Sequence, residues 1–253
     1  MNRTVVISGG GTGIGRTIAS RFAIHGDRVL IIGRRADVLH KAAEYIASSG
    51  ASRDLHSRRV EVAAVDLTQP DQVQSFVDDR FPVETAVDVL VNAAGSGGPP
   101  EGTSLSEVAA AWEQTLRANV LTAVLLTTAL EPRLRRPGGR VINFSSIAAL
   151  RGGGTAYAAA KAALHGWSYT LAGAFGPEGI TVNVIAPGFI DSTELFGDTM
   201  TDERRQRLIT GTLVGRAGHP DDVAAAVDYL APPEASYITG QVLQINGGAL
   251  LGR

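Results

Sequence analysis

The chain has 253 residues, no cysteine, and 23 basic against 25 acidic side chains. This excludes disulfides, thiolate catalysis and Cys-ligated metal centres, and it lacks the basic excess of a nucleic-acid binder. No apolar run approaches the roughly 20 residues of a membrane span, and Met1-Asn2-Arg3-Thr4-Val5-Val6-Ile7 meets a glycine cluster at once rather than a signal-peptide core. A soluble, cytoplasmic globular protein is expected, long enough to bury roughly 70% of its unfolded-state surface without staples. In chain order, short Val- and Ile-rich runs predict strands at 4–8, 28–32, 60–65, 87–91, 140–145, 181–185 and 242–245. Most lack polar alternation, as strands covered on both faces do. Between them, helical patterns occupy 13–25, 36–49, 70–80, 105–131, 155–175 and 220–231. Pro70 and Pro220 stand where a first-turn proline belongs, each followed by Asp. Strand–helix alternation without repeat or linker predicts one α/β domain over 1–253, a doubly wound parallel sheet. Two stretches break the rhythm, 96–104 and a polar, partly helical insertion at 189–215. Both follow strand ends, where open α/β sheets bind ligands, so they read as lids or as surface decoration.

Strand one runs into Ser8-Gly9-Gly10-Gly11-Thr12-Gly13-Ile14-Gly15. Glycines there let the turn take positive φ and let N–H groups approach a pyrophosphate at a helix N-terminus, although a Gly-rich turn can be purely structural. At the end of strand two a carboxylate would bind a ribose 2′-hydroxyl; this chain has Gly33, Arg34 and Arg35 instead. Paired guanidiniums suit a 2′-phosphate and predict NADP(H) over NAD(H); the alternative is two solvated arginines. They oppose the dipole of the helix they begin, so helix stability does not account for them. Asp66, before Leu67, either accepts from an adenine amino group or caps the next segment. Tyr157-Ala158-Ala159-Ala160-Lys161 puts a phenol and an ammonium one helical turn apart. Lysine occurs only at Lys41 and Lys161, every other basic side chain being Arg. A cation beside a phenol lowers its pKa toward a useful proton donor for carbonyl reduction. Asn143-Phe144-Ser145-Ser146 leaves hydroxyls at a strand end, able to donate to a substrate oxygen. The five histidines show no metal-ligand spacing, and no metal is expected.

At these residues the chain resembles the short-chain dehydrogenase/reductase family, in the single-domain branch that includes 3-oxoacyl-carrier-protein reductases. Ser8-Gly9, Gly13-Ile14-Gly15, Val91-Asn92-Ala93-Ala94-Gly95, Ala118-Asn119-Val120, Pro187-Gly188-Phe189-Ile190, Tyr237-Ile238-Thr239-Gly240 and Gly247-Gly248 resemble its motifs in order. The resemblance implies a Rossmann fold with seven parallel strands and a homotetramer, or a dimer, built through the two long helices. It implies a catalytic set of Asn119, Ser146, Tyr157 and Lys161, with Asn119 anchoring a water. It implies an NADP(H) site of Ser8, Gly9, Gly11, Thr12, Gly13, Ile14, Gly15, Arg34, Arg35, Asp66, Leu67, Asn92, Ala93, Ala94, Gly95, Tyr157, Lys161, Pro187, Gly188, Ile190 and Ser192. Four positions depart from the pattern: Ser8 stands for a commoner Thr, and Ala93 for a second Asn. The Ser146-to-Tyr157 interval is short, which keeps Ser145 as a second candidate. Ser192 stands where Thr is expected, with Thr193 next. The expected substrate is a small carbonyl or alcohol in an apolar pocket touched by Phe189, Leu195 and Phe196. The narrower alternative is a 3-oxoacyl-carrier-protein reductase, with Arg133, Arg135, Arg136 and Arg140 as a docking patch beside the site; a silent nucleotide sensor or scaffold is the third.

Overall fold

The computed structural model describes residues 3–49, 60–82, 84–100, 102–195 and 200–252. Seven strands, β1 Thr4–Ser8, β2 Arg28–Gly33, β3 Val60–Ala64, β4 Val89–Asn92, β5 Arg140–Phe144, β6 Thr181–Pro187 and β7 Val242–Ile245, form one sheet. Its order is β3-β2-β1-β4-β5-β6-β7, and every pairing is parallel. Order reverses between β1 and β4, which stay paired to Ser8 and Asn92, so the segments leaving them part to opposite sides and open a crevice there.

Alternation along each strand divides the core. Val5 and Ile7 of β1 pack into a cluster with Ile18 and Phe22 of helix α1 (Gly13–Ile24) and Val223 and Val227 of α9 (Pro220–Leu230). Val6 between them faces the other way, toward Val73 and Phe76 of α3 (Pro70–Arg80) and Leu126 and Leu130 of α5 (Thr122–Leu130). Both faces are therefore apolar, which is why the strands read as runs without polar alternation. Each fully buried Leu, Ile or Phe contributes about 1.5–3 kcal/mol, so the sheet is a rigid platform for its loops.

Helices begin where chemistry starts them. Pro70 and Pro220 both fall in the first turn. Ser104 caps α4 (Leu105–Leu116), and Glu107 returns a bond to the Ser104 amide at 3.0 Å. The pattern over 105–131 predicts one helix, yet α4 gives way to a π-helical turn at Arg117–Leu121 before α5. Asn119 sits in that turn and donates from its side chain to the Thr115 carbonyl at 3.0 Å. An amide that competes for the helix ladder accommodates the extra residue. A short helix absent from the sequence reading, α6 (Ala148–Arg151), leads through Gly152, Gly153 and Gly154, all at positive φ, into α7 (Thr155–Phe175). Helix α2 (Ala36–Ser48) follows β2, and α8 (Asp202–Thr210) lies between β6 and α9.

Candidate active site

A cleft of about 580 Å³ opens at the C-terminal ends of β1 and β4. At one end, helix α1 starts from Thr12, whose side chain makes no capping bond, and no acidic residue occupies its first turn. Its leading N–H groups thus point unspent at an anion site with a favourable dipole. Glycine is obligatory nearby: a Cβ on Gly15 would lie 2.2 Å from the Gly9 carbonyl oxygen, and Gly9 itself has φ +70°. A phosphate-bearing chain can therefore come against bare backbone. Arg34 and Arg35 follow β2 and line the same cleft, as do Asp66 and Leu67 after the neighbouring β3. These donors and this close backbone fit a pyrophosphate-bridged dinucleotide.

Asp66 Oδ1 accepts from the Thr68 amide at 3.0 Å and hydroxyl at 2.8 Å, the capping geometry. Those bonds, the backbone one foremost, hold its carboxyl below the usual range against the opposing effect of burial, with Arg34 adding attraction.

At the other end, three successive residues of β5 and its exit each tie to α7. The Phe144 carbonyl accepts from Lys161 Nζ at 3.0 Å. Ser145 Oγ donates to the Lys161 carbonyl at 2.9 Å and also meets His165 Nε2 at 2.7 Å. Ser146 hydrogen-bonds the Tyr157 side chain. These ties distinguish the two hydroxyls: both serines line the cleft, but Ser145 is spent fixing the helix, while Ser146 meets the phenol. The Lys161 ammonium lies 5.8 Å from the centroid of the Tyr157 ring. A Cβ on Gly95 would fall 2.6 Å from Asn119 Oδ1 and 3.1 Å from Lys161 Nζ, so these two polar atoms face the same point above Gly95. Asn119 Nδ2 donates to the Ser96 and Thr115 carbonyls and Oδ1 accepts from the Ser96 amide at 3.2 Å. One lone pair of Oδ1 is left for a water.

Burial pushes the Tyr157 phenol up, opposed by its bond with Ser146. Burial also pushes Lys161 down to about 8. Desolvation is the largest influence on both groups, Lys161 being buried and Tyr157 half-buried beside it.

The structure brings most of the named residues together. Gly9, Gly11, Thr12, Gly13, Ile14, Gly15, Arg34, Arg35, Asp66, Leu67, Ala93, Ala94, Gly95, Asn119, Ser146, Tyr157, Lys161, Pro187, Gly188 and Ile190 all line the cleft. Three do not. Ser8 is buried beneath it, where its hydroxyl accepts from the Ala94 amide at 3.1 Å and so holds β4's exit against β1. Asn92 is buried too, donating to Thr127 Oγ1 and Asn143 Oδ1 at 2.8 Å each; Asn143 in turn donates to Ser168 at 2.8 Å. That chain of side chains braces β4 and β5 to the helices below the site. Ser192 has φ +59°, and this left-handed turn carries Thr193, not Ser192, to the cleft wall. Of the apolar residues expected at the substrate end, Leu195 lines the cleft and Phe189 does not, while Phe196 lies outside the described residues. Val38, Leu39 and Glu194 also line it and were not anticipated.

The arginine patch is a correction. Arg140 opens β5 and the cleft lies at its far end, where Phe144 lines it, about 13 Å away at 3.3 Å per residue. Arg140 is buried and donates to three backbone carbonyls. Arg133 pairs with Asp78, Arg135 with Asp88, and Arg136 with Glu178 and Glu131. These charges knit the edge of the sheet remote from the site.

Comparison with known proteins agrees with this architecture. A family model described as enoyl-(acyl carrier protein) reductase matches residues 9–249. The 3-oxoacyl-[acyl-carrier-protein] reductase FabG of Chlamydia trachomatis is 35% identical over 251 residues, covering 98% of this chain and 97% of that protein. Among solved structures, a short-chain type dehydrogenase/reductase from Mycobacterium ulcerans superposes with a TM-score of 0.85 at 28% identity, over 98% of this chain and 90% of that one. The Pseudomonas aeruginosa RhlG/NADP active-site complex gives 0.83 at 30% identity, over 98% and 96%. The chain belongs to the short-chain dehydrogenase/reductase family. It is accordingly an oxidoreductase of carbonyl and hydroxyl groups that works with a nicotinamide cofactor.

Proposed function

We propose that the protein is an NADPH-dependent carbonyl reductase, reversible as an alcohol dehydrogenase, acting on a small and largely apolar substrate. The observation that carries this reading is a single cleft with a guanidinium pair at one end and a phenol, hydroxyl and ammonium at the other. The likeness to RhlG, whose structure is an NADP complex, supports the choice of dinucleotide. When bound, NADPH supplies the hydride that reduces the carbonyl carbon. Tyr157 donates its phenolic proton to the carbonyl oxygen as charge develops there, and its raised pKa keeps that proton in place at neutral pH. Ser146 donates a second hydrogen bond to the same oxygen. Lys161 holds the cofactor ribose with its ammonium, and Asn119 offers Oδ1 to a water that passes protons toward Lys161. Gly9, Gly13, Ile14 and Gly15 receive the pyrophosphate, Arg34 and Arg35 the 2′-phosphate. NADPH consumption over a panel of ketones and aldehydes tests the reading; binding without turnover across the panel would favour a nucleotide sensor instead.

The geometry also separates the two serines. Ser146→Ala is expected to lower kcat by about 10²–10³-fold with NADPH affinity retained, as loss of one donor to a developing oxyanion does. Ser145→Ala is expected to cost kcat less than about tenfold and to lower the melting temperature. Steady-state kinetics and thermal melts on both variants check this.

A second reading, reduction of a 3-oxoacyl group on a carrier protein, draws support from the FabG relative. The four arginines considered as a docking patch do not support it, since they lie at the opposite end of β5. Turnover of a carrier-bound thioester compared with a small ketone separates the two. A homotetramer through α4 and α7 accords with the apolar Leu116 and Tyr169 left exposed on them. No described helix is long and apolar enough to cross a membrane, which accords with a cytoplasmic enzyme.

A further inference from the structure

Glu194 reaches across the cleft from the segment after β6 and places Oε2 2.6 Å from Arg35 Nη2. The two residues are 159 positions apart. Three further contacts hold the arm that delivers it. Asp191 pairs with Arg205 of α8, and the Thr193 hydroxyl donates to the Ile190 carbonyl at 3.2 Å. The Thr193 methyl also lies over the start of α1, so that a Cβ on Gly13 would come within 3.4 Å of it. Between these anchors Ser192 adopts φ +59°, a conformation that non-glycine residues take at a cost and that turns the chain toward the cofactor cleft. Arg34, beside Arg35, makes no ion pair among the described residues. One guanidinium of the pair is thus open to an incoming anion, and the other already holds a carboxylate.

We propose that Glu194 is a specificity-determining residue that competes with the ribose 2′-phosphate for Arg35. The proposal rests on the reading of Arg34 and Arg35 as the phosphate site. A phosphate monoester carries more charge than a carboxylate near neutrality and offers three acceptor oxygens to a planar fork. A dinucleotide bearing the 2′-phosphate displaces Glu194 and frees the arm over α1. A dinucleotide without it leaves the pair intact. Glu194 therefore lowers affinity for NADPH alone and narrows the preference that the two arginines create. Both side chains of the pair are more than half exposed, so the effect is modest and weakens with salt.

The test is fluorescence titration of NADPH and NADH into the full-length protein and its Glu194→Gln, Arg35→Ala and double variants at low ionic strength. Glu194→Gln is expected to tighten NADPH about two- to fivefold, as release of an exposed ion pair does, with NADH unchanged. The gain is expected to vanish in the Arg35→Ala background, because the carboxylate then has no guanidinium to occupy. NADPH affinity that is unchanged or weaker in Glu194→Gln, an equal change for both cofactors, or a gain that persists without Arg35 would overturn the proposal. Failure of the phosphate reading looks different: wild-type protein would bind NADH as tightly as NADPH, and Arg35→Ala would alter neither.

Discussion

Tyr157→Phe is expected to lower kcat by about 10²–10⁴-fold, the range for a positioned general acid, while NADPH affinity stays within about twofold. The ring keeps its volume in its half-buried position, so only the hydroxyl and its bond to Ser146 are lost. The pH profile sharpens this expectation. Burial holds the free protein's phenol protonated at neutrality, the form that reduction needs. Lys161, lowered to about 8 by burial, loses its proton as pH rises through that value, and a neutral amine holds ribose hydroxyls less well. For the wild type, kcat/KM for NADPH should be level below about pH 8 and fall above it. Lys161→Met should remove that limb along with most of the activity. Stopped-flow and steady-state assays across pH 6–10 supply the measurement, and near-parental turnover by Tyr157→Phe would refute the assignment.

The double variant Arg34→Ala, Arg35→Ala is expected to weaken NADPH by about 10²–10⁴-fold and NADH by less than about threefold. Hydrogen bonds to a charged group are worth about 1.5–3 kcal/mol each, so two guanidiniums on one phosphate account for that range. Neither arginine supports the core, and the Arg35 bond to Glu194 is exposed, so the variant should fold normally. Raising salt should erode the wild-type preference and leave the variant's affinities nearly level. Equal losses for both cofactors, read by calorimetry, would show that the arginines act on something other than the phosphate.

Much of the fold was legible because both faces of most strands are covered, which leaves apolar runs separated by helical periods. The strand limits agree within two residues. The two-residue gaps are at the end of β6, which runs on to Pro187, and at 87, where Val87 makes an isolated bridge to Leu134 and Asp88 turns its carboxylate to the Thr4 amide at 2.7 Å before β4 begins. The π turn at Arg117–Leu121 was hidden because one inserted residue scarcely disturbs a hydrophobic period. At the site, motifs place residues on the crevice rim but do not give side-chain direction. Asn92 and Ala93 are neighbours on β4's exit, yet one is buried in a polar network below and the other lines the cleft. The exchange of Ser192 for Thr193 turns on a single left-handed dihedral that no spacing rule encodes. Arg133, Arg135, Arg136 and Arg140 seemed close to the site because they precede Ser145 in sequence; strand direction puts them at the other edge. The contact from Glu194 to Arg35 joins distant segments and appears only in three dimensions.

A crystal structure of the protein with NADP⁺ and an alcohol product shows whether a phenol on α7 delivers the proton at one end of a cleft whose other end recognises the dinucleotide. The alcohol oxygen is expected within about 3.2 Å of both Tyr157 Oη and Ser146 Oγ, with Lys161 Nζ on the ribose hydroxyls. An alcohol oxygen held by other groups, with the Tyr157 ring turned away from it, would rule out Tyr157 as the proton donor.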